Sequence, residues 1–324
     1  MNVSLHYKAK QFFFVLIKIS IVVGAFYFIY SKVIANENLK FLDFISFLKQ
    51  NDTFSVQNII FLIFLSFFNW FFEILKWQHL VKTINSISFN SAFVQSFAAL
   101  TTSLITPNRI GDYGAKAMYY SKPLRTKIIL LNLIGNLSQM SITMITGSIC
   151  FLLFTNRYHI DLNYFKIAKI TLFFIIVILF TFLGTKQKHF KIKGFSMATI
   201  VAFTKSISIT TKRLTLLLSL LRYAIFSFQF FVLLRIFSVD ISYMNAMIVI
   251  SSFYLLSSII PTIAIFDVIV KGGIAVYLFG YLGIDELTIL SITTLMWLLN
   301  FVLPSVIGSY FVLNFKFPKP ISQC

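Results

Sequence analysis

Acidic residues are scarce in this chain of 324 residues. It has 10 aspartates and glutamates against 28 lysines and arginines, so its formal net charge is +18, and charged residues make up only 12% of it. Soluble domains contain about 25% charged residues. The sequence therefore lacks the charged surface of a soluble globular protein.

Cysteine and histidine are also rare, with two cysteines and four histidines in the whole chain. Cys150 lies inside an apolar run and Cys324 is the last residue, so the two predict neither a disulfide framework nor a metal site. The HExxH and GxSxG motifs of metalloproteases and hydrolases are missing as well. We therefore expect no catalytic constellation, no metal and no cofactor, and the chain is not predicted to be an enzyme.

Hydrophobic residues are abundant instead. They make up 58% of the chain, including 40 phenylalanines, and the mean hydropathy is +0.86. Apolar runs of about 17–25 residues are long enough to cross a bilayer as helices. The sequence predicts an all-α polytopic membrane protein that forms one integral domain over residues 1–324. The candidates for full spans are 11–31, 55–76, 127–153, 168–185, 214–236 and 287–313.

Two further apolar regions, about 90–120 and 244–282, are each interrupted by a proline, Pro107 or Pro261. If each region crossed the membrane once, the most basic loops would lie outside, against the positive-inside rule. If each region enters and returns to the same side, those loops lie inside. We therefore predict six full spans and two re-entrant hairpins, which read as about eight transmembrane segments, with both termini cytoplasmic.

The positive charge is spread over the loops between the apolar runs. It therefore indicates topology, and we expect no nucleic-acid binding, which would need a clustered basic face.

The predicted topology divides the chain into two halves of opposite orientation, 1–155 and 160–324. Each half has two spans, a hairpin and a third span, and such inverted repeats are typical of transporters with a site near the midplane. An aspartate and a lysine with i,i+4 spacing follow the proline in both halves. These residues are Asp112 and Lys116 in the first half, and Asp267 and Lys271 in the second.

Broken backbone inside a membrane is tolerated only where protein or a water-filled cavity satisfies it. The helix that resumes after the break presents free N–H groups and the positive end of its dipole, and Arg109 adds a full charge. This combination suits a phosphate or carboxylate. The predicted residues for an anionic headgroup are Pro107, Asn108, Arg109, Gly111, Pro261, Thr262 and Lys271.

The membrane-embedded acids have two alternative roles. Asp112 and Asp267 either couple transport to protons or cations, or they neutralise neighbouring basic residues such as Lys116 by local pairing.

Uncharged polar residues recur at helical spacing in the region 127–153. They either line a translocation path or hold helices together by hydrogen bonds. The predicted cavity-lining residues are Asn132, Asn136, Gln139 and Thr143, with Asn300 in the last span.

Four charged residues near the cytoplasmic ends of spans are predicted to be structural. Glu73 and Lys76 are interpreted as a surface pair, whereas Lys18 and Arg222 are interpreted as side chains that extend to the membrane interface.

The stretch "ITPNRIGDYGAKA" resembles the "PGRIGE"-type signature of the membrane region of lysylphosphatidylglycerol synthases, which stand-alone flippase-like proteins share. "IIPTIAIFDVIVKGGIAVYLF" is similar to the later "PTPGGLGVRE"-type segment of that family. Asn108 replaces a glycine and Asp112 a glutamate, and Lys271 stands near the family's arginine. The glycines of the second motif are largely replaced by Thr262, Ile263 and Ala264.

The resemblance implies movement of lipids or lipid-linked headgroups across a bacterial or archaeal cytoplasmic membrane, and we expect the bacterial one. It also implies no aminoacylation of lipid, because this sequence has no aminoacyl-transfer domain. The leading hypothesis is a flippase for an anionic or zwitterionic polar lipid. The alternatives are a transporter of a small anionic solute, and a membrane-embedded transferase or accessory subunit of lipid-linked glycan assembly. The expected partners are membrane lipids, with a second copy of the chain or enzymes of lipid or glycan biosynthesis left open.

Overall fold

The structure is a computed structural model. It describes residues 15–20, 22–24, 27, 30, 55–106, 109–160, 197–259 and 264–317, with the backbone alone at 197–198 and 264–269. All regular secondary structure in these ranges is helical.

Between residues 55 and 160 the chain forms four helices. They are α1 (Val56–Val81), α2 (Phe89–Leu104), α3 (Gly111–Met118) and α4 (Lys122–Arg157). The later helices are α5 (Met197–Ser206), α6 (Ile209–Ile236), α7 (Tyr243–Ile259), α8 (Ala264–Gly280), α9 (Glu286–Trp297) and α10 (Leu303–Leu313). A π-helical turn, Leu298–Val302, joins α9 to α10.

Four described helical segments are long and apolar enough to cross a membrane. They are α1, α4, α6 and the continuous segment Glu286–Leu313. They coincide with the predicted spans 55–76, 127–153, 214–236 and 287–313, so these four predictions and the all-α polytopic class are confirmed. The predicted span 11–31 is described in part and is helical there, whereas 168–185 lies outside the described residues.

Several helices begin at a residue whose side chain accepts a hydrogen bond from a backbone N–H of the first turn. Ser88 accepts from Ser91 at 3.1 Å, Ser208 from Thr211 at 3.2 Å, and Asp285 from Thr288 at 3.1 Å. Such caps satisfy backbone donors that have no partner within the helix. The polar residues between apolar runs therefore fix where α2, α6 and α9 start.

α2 and α3 run antiparallel. Gly111 at the start of α3 packs against Thr102 near the end of α2, while Tyr120, just beyond α3, donates a 2.9 Å hydrogen bond to Gln95 in the first half of α2. A Cβ at Gly111 would lie 2.5 Å from the carbonyl oxygen of Thr102, so only glycine permits this approach.

Two close contacts link helices from different halves of the chain. α2 packs on α10, and a Cβ at Gly308 would overlap the backbone of Phe97 and the side chain of Thr101. α7 packs on α4, and a Cβ at Gly147 would lie 2.9 Å from the carbonyl oxygen of Ser251.

The positions on α2 and α7 correspond in the sequence. Ser251 follows Phe97 by 154 residues, and Pro261 follows Pro107 by the same interval. The first helix of each proline-broken region therefore packs, at equivalent positions, against a glycine in the long helical segment of the other half.

Candidate functional site

The described residues enclose a cavity of about 440 Å³, within the range of small-molecule sites. Residues from α1, α2, α3, α4, α6 and α7 line it, together with the turn before α3. The lining residues are Trp70, Glu73, Ser96, Leu100, Arg109, Asp112, Tyr113, Lys116, Asn136, Gln139, Met140, Thr143, Arg222 and Ser258.

Asp112 and Lys116 form an ion pair on one turn of α3. Their charged atoms are 3.2 Å apart, and Asn132 of α4 bridges them by accepting from Lys116 at 2.8 Å and donating to Asp112 at 2.6 Å. The Lys116 ammonium also lies 4.5 Å from the centre of the Trp77 ring. Lys116 is buried, and these contacts offset part of the cost of placing its charge inside the protein.

Glu73 forms the second charged cluster, with cations on two helices. Its Oε2 lies 2.7 Å from Lys76 of α1 and 2.8 Å from Arg222 of α6. Glu73 and Lys76 are both buried, so the prediction of a surface pair was wrong. The reason is tertiary, because α6 packs against this part of α1.

Arg222 lines the cavity, and the prediction that it extends to the membrane interface was also wrong. Its Nε donates to Asn69 at 3.1 Å, its Nη1 donates to Glu73, and its guanidinium lies 5.8 Å from the Trp70 ring centre. Its Nη2 donates to no residue in the described part of the chain. Lys18, by contrast, has a structural contact, since its ammonium donates to the carbonyl oxygen of Leu313 at 2.9 Å.

Arg109 occupies the turn between α2 and α3. Its φ of 57° lies in the left-handed region, which residues other than glycine seldom adopt. Its Nε lies 3.4 Å from the hydroxyl of Ser103, and its guanidinium lies 4.9 Å from the ring centre of Phe301. Held strain of this kind is common at functional sites, and here the turn places a cation on the cavity wall.

The backbone N–H groups at the start of α3 are less available to a ligand than the sequence predicts. The Gly111 N–H donates to the hydroxyl of Thr106 at 2.8 Å, and the Arg109 N–H donates to the Thr106 carbonyl at 3.2 Å. The arginine side chains are therefore the main groups for an anion among the described residues.

Three of the predicted polar residues of α4 line the cavity. Asn136 donates to the Tyr113 hydroxyl at 3.0 Å, Gln139 donates to the carbonyl of Ser219 at 3.3 Å, and Thr143 lies one turn further along. Asn132 lies behind the wall, between Lys116 and Asp112. The stripe thus both lines the cavity and bonds to neighbouring helices.

Asn300 is not among the described residues that line the cavity. It is buried in the π-helical turn, where its amide accepts from Asn69 at 2.8 Å and donates to Gln229 at 2.9 Å, and Trp70 donates to its carbonyl at 3.0 Å. π-helical turns are frequent at functional sites, and this one connects α1, α6 and the last span.

Several predicted site residues lie outside the described residues. These are Pro107, Asn108, Pro261 and Thr262, and also the side chain of Asp267. Lys271 is half-buried in α8 and does not appear among the described lining residues. The described ranges contain no cluster of three or more histidines, cysteines or acids that would hold a metal.

Sequence reasoning missed Asn69, Trp70, Ser96 and Tyr113. One available signal was the polar set Asn69, Glu73 and Lys76, which recurs at helical spacing within an otherwise apolar helix.

The fold and the cavity define a multi-pass helical membrane protein with paired charges in its interior. Comparison with known families agrees with this class: the profile described as "Lysylphosphatidylglycerol synthase TM region" matches residues 15–308. The chain belongs to this family, as its two proline motifs indicate. No curated protein matches the chain.

Proposed function

We propose that the protein is a flippase that moves a polar phospholipid or lipid-linked headgroup, anionic or zwitterionic, between the leaflets of a bacterial cytoplasmic membrane. The observation that carries the proposal is the cavity itself. Arg109 from the α2–α3 turn and Arg222 from α6 lie on the wall of one space of about 440 Å³. Charged groups inside membrane proteins commonly mark a substrate path.

The proposed topology has six full spans, two re-entrant hairpins and cytoplasmic termini, with inverted repeats at 1–155 and 160–324. The antiparallel course of α2 and α3 supports a hairpin that returns to its side of entry. The matching contacts of Gly308 with α2 and of Gly147 with α7 support a repeat in which both halves have the same order of helices.

In this mechanism the headgroup enters the cavity and the acyl chains remain in the bilayer. Arg109 and Arg222 hold the phosphate by charge-assisted hydrogen bonds. The two halves then rearrange so that the cavity opens to the opposite leaflet. Arg109 belongs to the first half and Arg222 to the second, so the headgroup contacts both moving parts. The proposal includes no catalytic step and no cofactor.

The test is lipid translocation in proteoliposomes that contain the purified protein. Arg109→Ala is expected to reduce the translocation rate about tenfold or more, because a hydrogen bond to a charged group is worth about 1.5–3 kcal/mol. Arg235→Ala is the matched control, since Arg235 forms an exposed pair with Asp240 and does not line the cavity. Undiminished translocation by Arg109→Ala at wild-type protein levels would overturn the role of Arg109.

A second arm separates lipid transport from the transport of a small anion. The same vesicles are loaded with radiolabelled inorganic phosphate and assayed for tracer exchange. Tracer movement without lipid movement would replace the flippase by a solute transporter.

A further inference from the structure

We propose that Asn69 is a positioning residue for transport. Its side-chain oxygen fixes the plane of the Arg222 guanidinium, and a chain of buried amides that starts at the π-helical turn of the last span directs that oxygen. The inference rests on the proposed function, in which Arg222 holds the phosphate of the headgroup. It adds the residue that orients this arginine and the helix from which the orientation comes.

Hydrogen bonds from two different nitrogens hold the Arg222 guanidinium. Its Nε donates to Asn69 Oδ1 at 3.1 Å, and its Nη1 donates to Glu73 Oε2 at 2.8 Å. A planar group held at one atom can still pivot about that contact, whereas two contacts fix its plane and therefore the direction of its remaining donors. Glu73 also binds the buried Lys76, so Asn69 is the contact that can be removed without leaving a buried charge unpaired.

Backbone carbonyls set the direction of the amide chain, because a carbonyl can only accept a hydrogen bond. Gln229 of α6 donates its Nε2 to the carbonyl of Leu62 at 3.0 Å, so its Oε1 is free to accept from Asn300 Nδ2 at 2.9 Å. The same Nδ2 donates to the carbonyl of Met296 at 3.0 Å. The Oδ1 of Asn300 is therefore the atom that faces Asn69.

Asn69 is the last amide of the chain. Its Nδ2 donates to Asn300 Oδ1 at 2.8 Å, so its own Oδ1 points to Arg222. The opposite orientation of this amide would place its NH₂ group against the Arg222 Nε–H, and two donors would then face each other. Asn69, Asn300 and Gln229 are almost fully buried, so each of their donors and acceptors depends on its protein partner.

Pro304 gives a reason for the π-helical turn that carries Asn300. Proline has no N–H, and its ring clashes with the carbonyl four residues earlier, which is that of Asn300. The helix forms a π-helical turn here, and the Asn300 carbonyl accepts from the Trp70 indole at 3.0 Å. Trp70 lines the cavity, and its ring centre lies 5.8 Å from the Arg222 guanidinium. One turn of the last span therefore holds two residues of the cavity wall.

Buried amides also hold membrane helices together without any part in transport. The two roles differ in a protein that lacks Arg222. A residue that acts through Arg222 loses its effect on transport there, whereas a residue that only stabilises the fold keeps its effect.

The first experiment is a double-mutant cycle of lipid translocation. Labelled phosphatidylglycerol is followed in proteoliposomes that contain equal amounts of folded wild type, Asn69→Ala, Arg222→Gln or the double variant. We expect Asn69→Ala to reduce the rate about tenfold, as the loss of one hydrogen bond to a charged group does. In the Arg222→Gln background the same substitution should change the rate by about twofold or less.

Gln78→Ala is the matched control. It removes another amide of α1, whose hydrogen bond goes to the carbonyl of Ile87 at 3.1 Å and not to the chain that reaches Arg222. We expect this variant to move the lipid at the wild-type rate.

A second readout needs no transport. In detergent-solubilised protein whose arginines carry a heavy nitrogen isotope, the NMR signal of the Arg222 Nε–H is the one that Arg222→Gln lacks. A hydrogen-bonded N–H is protected from exchange with water. We expect this signal to lose its protection in Asn69→Ala and to keep it in Gln78→Ala. Asn69→Asp should also keep it, because it retains an oxygen acceptor for Nε.

Each outcome decides one claim. An equal loss of rate with and without Arg222 would overturn the positioning role and leave Asn69 as a structural residue. A protected Arg222 signal in Asn69→Ala, or none in the wild type, would overturn it as well. If Arg222→Gln moves no lipid, this signal decides alone. A wild-type protein that moves no lipid would overturn the proposed flippase, and the signal would still decide whether Asn69 orients Arg222.

Discussion

Glu73 of α1 and Arg222 of α6 are 2.8 Å apart at their charged atoms. Among the described residues this is the only ion pair that joins two helices, since the others connect residues three to five positions apart. α1 lies in the first half of the chain and α6 in the second. The pair therefore makes the contact between the halves depend on charge as well as on apolar packing.

Removal of the Glu73 charge should destabilise the protein. Glu73→Gln leaves the buried Lys76 without its carboxylate, and breaking a buried ion pair costs about 3–5 kcal/mol. We expect a clear fall in the midpoint of thermal unfolding in detergent. Asp240→Asn, which removes the carboxylate of the exposed Arg235 pair, should leave the midpoint unchanged.

The double variant Glu73→Gln/Lys76→Met adds a second check. It removes the orphaned charge, so it should be more stable than Glu73→Gln alone. Equal unfolding midpoints for the single and the double variant would show that the unpaired Lys76 does not cause the loss of stability.

Enlarging Gly308 or Gly147 should loosen the contacts between the halves. A Cβ at Gly308 overlaps Phe97 and Thr101, and a Cβ at Gly147 lies 2.6 Å from that of Leu255. We expect Gly308→Ala and Gly147→Ala each to lower the free energy of unfolding by about 1–3 kcal/mol. Gly273→Ala is the control, because Gly273 is helical and has no atom within 4 Å of the added carbon. A midpoint for Gly308→Ala equal to that of the control would contradict this packing.

Asn300→Leu should show whether Asn300 holds helices together by hydrogen bonds or lines a translocation path. The change leaves the amide of Asn69 and the carbonyl of Gln229 without their partner, which costs about 1–3 kcal/mol for each buried group. We therefore expect a lower unfolding midpoint, with Asn314→Leu at an exposed amide as the control. A stable Asn300→Leu protein with impaired transport would instead place Asn300 on the substrate path.

Cysteine labelling tests the proposed hairpin through the orientation of α4. This helix has 36 residues and is about 54 Å long, enough for its two ends to reach opposite sides of a membrane. In a background without Cys150 and Cys324, an impermeant maleimide should label Arg157→Cys on intact cells. Lys122→Cys should react only after permeabilisation. The reverse pattern would mean that the region 90–120 crosses the membrane.

Apolar run length predicted four spans closely, because a bilayer sets the length of a spanning helix. Helical spacing also predicted Asn136, Gln139 and Thr143 as one stripe, and these residues line the cavity. Local patterns of this kind need no knowledge of which helices meet.

The residues that sequence reasoning placed wrongly depend on contacts between distant helices. Glu73 and Arg222 are 149 positions apart, and Asn69 and Asn300 are 231 apart. Each looks like an isolated polar residue near a helix end or inside an apolar run. Only the packing of α1 on α6 and on the π-helical turn converts them into a buried network.

The contact between α2 and α10 has a consequence for the order of assembly. Thr101 donates to the carbonyl of Ser305 across 204 positions of chain. A ribosome that has just completed α2 and α3 therefore delivers them to the membrane long before their partner helix exists. Until the last helix has been made, Thr101 lacks this partner, so the contact between α2 and α10 forms only at the end of synthesis.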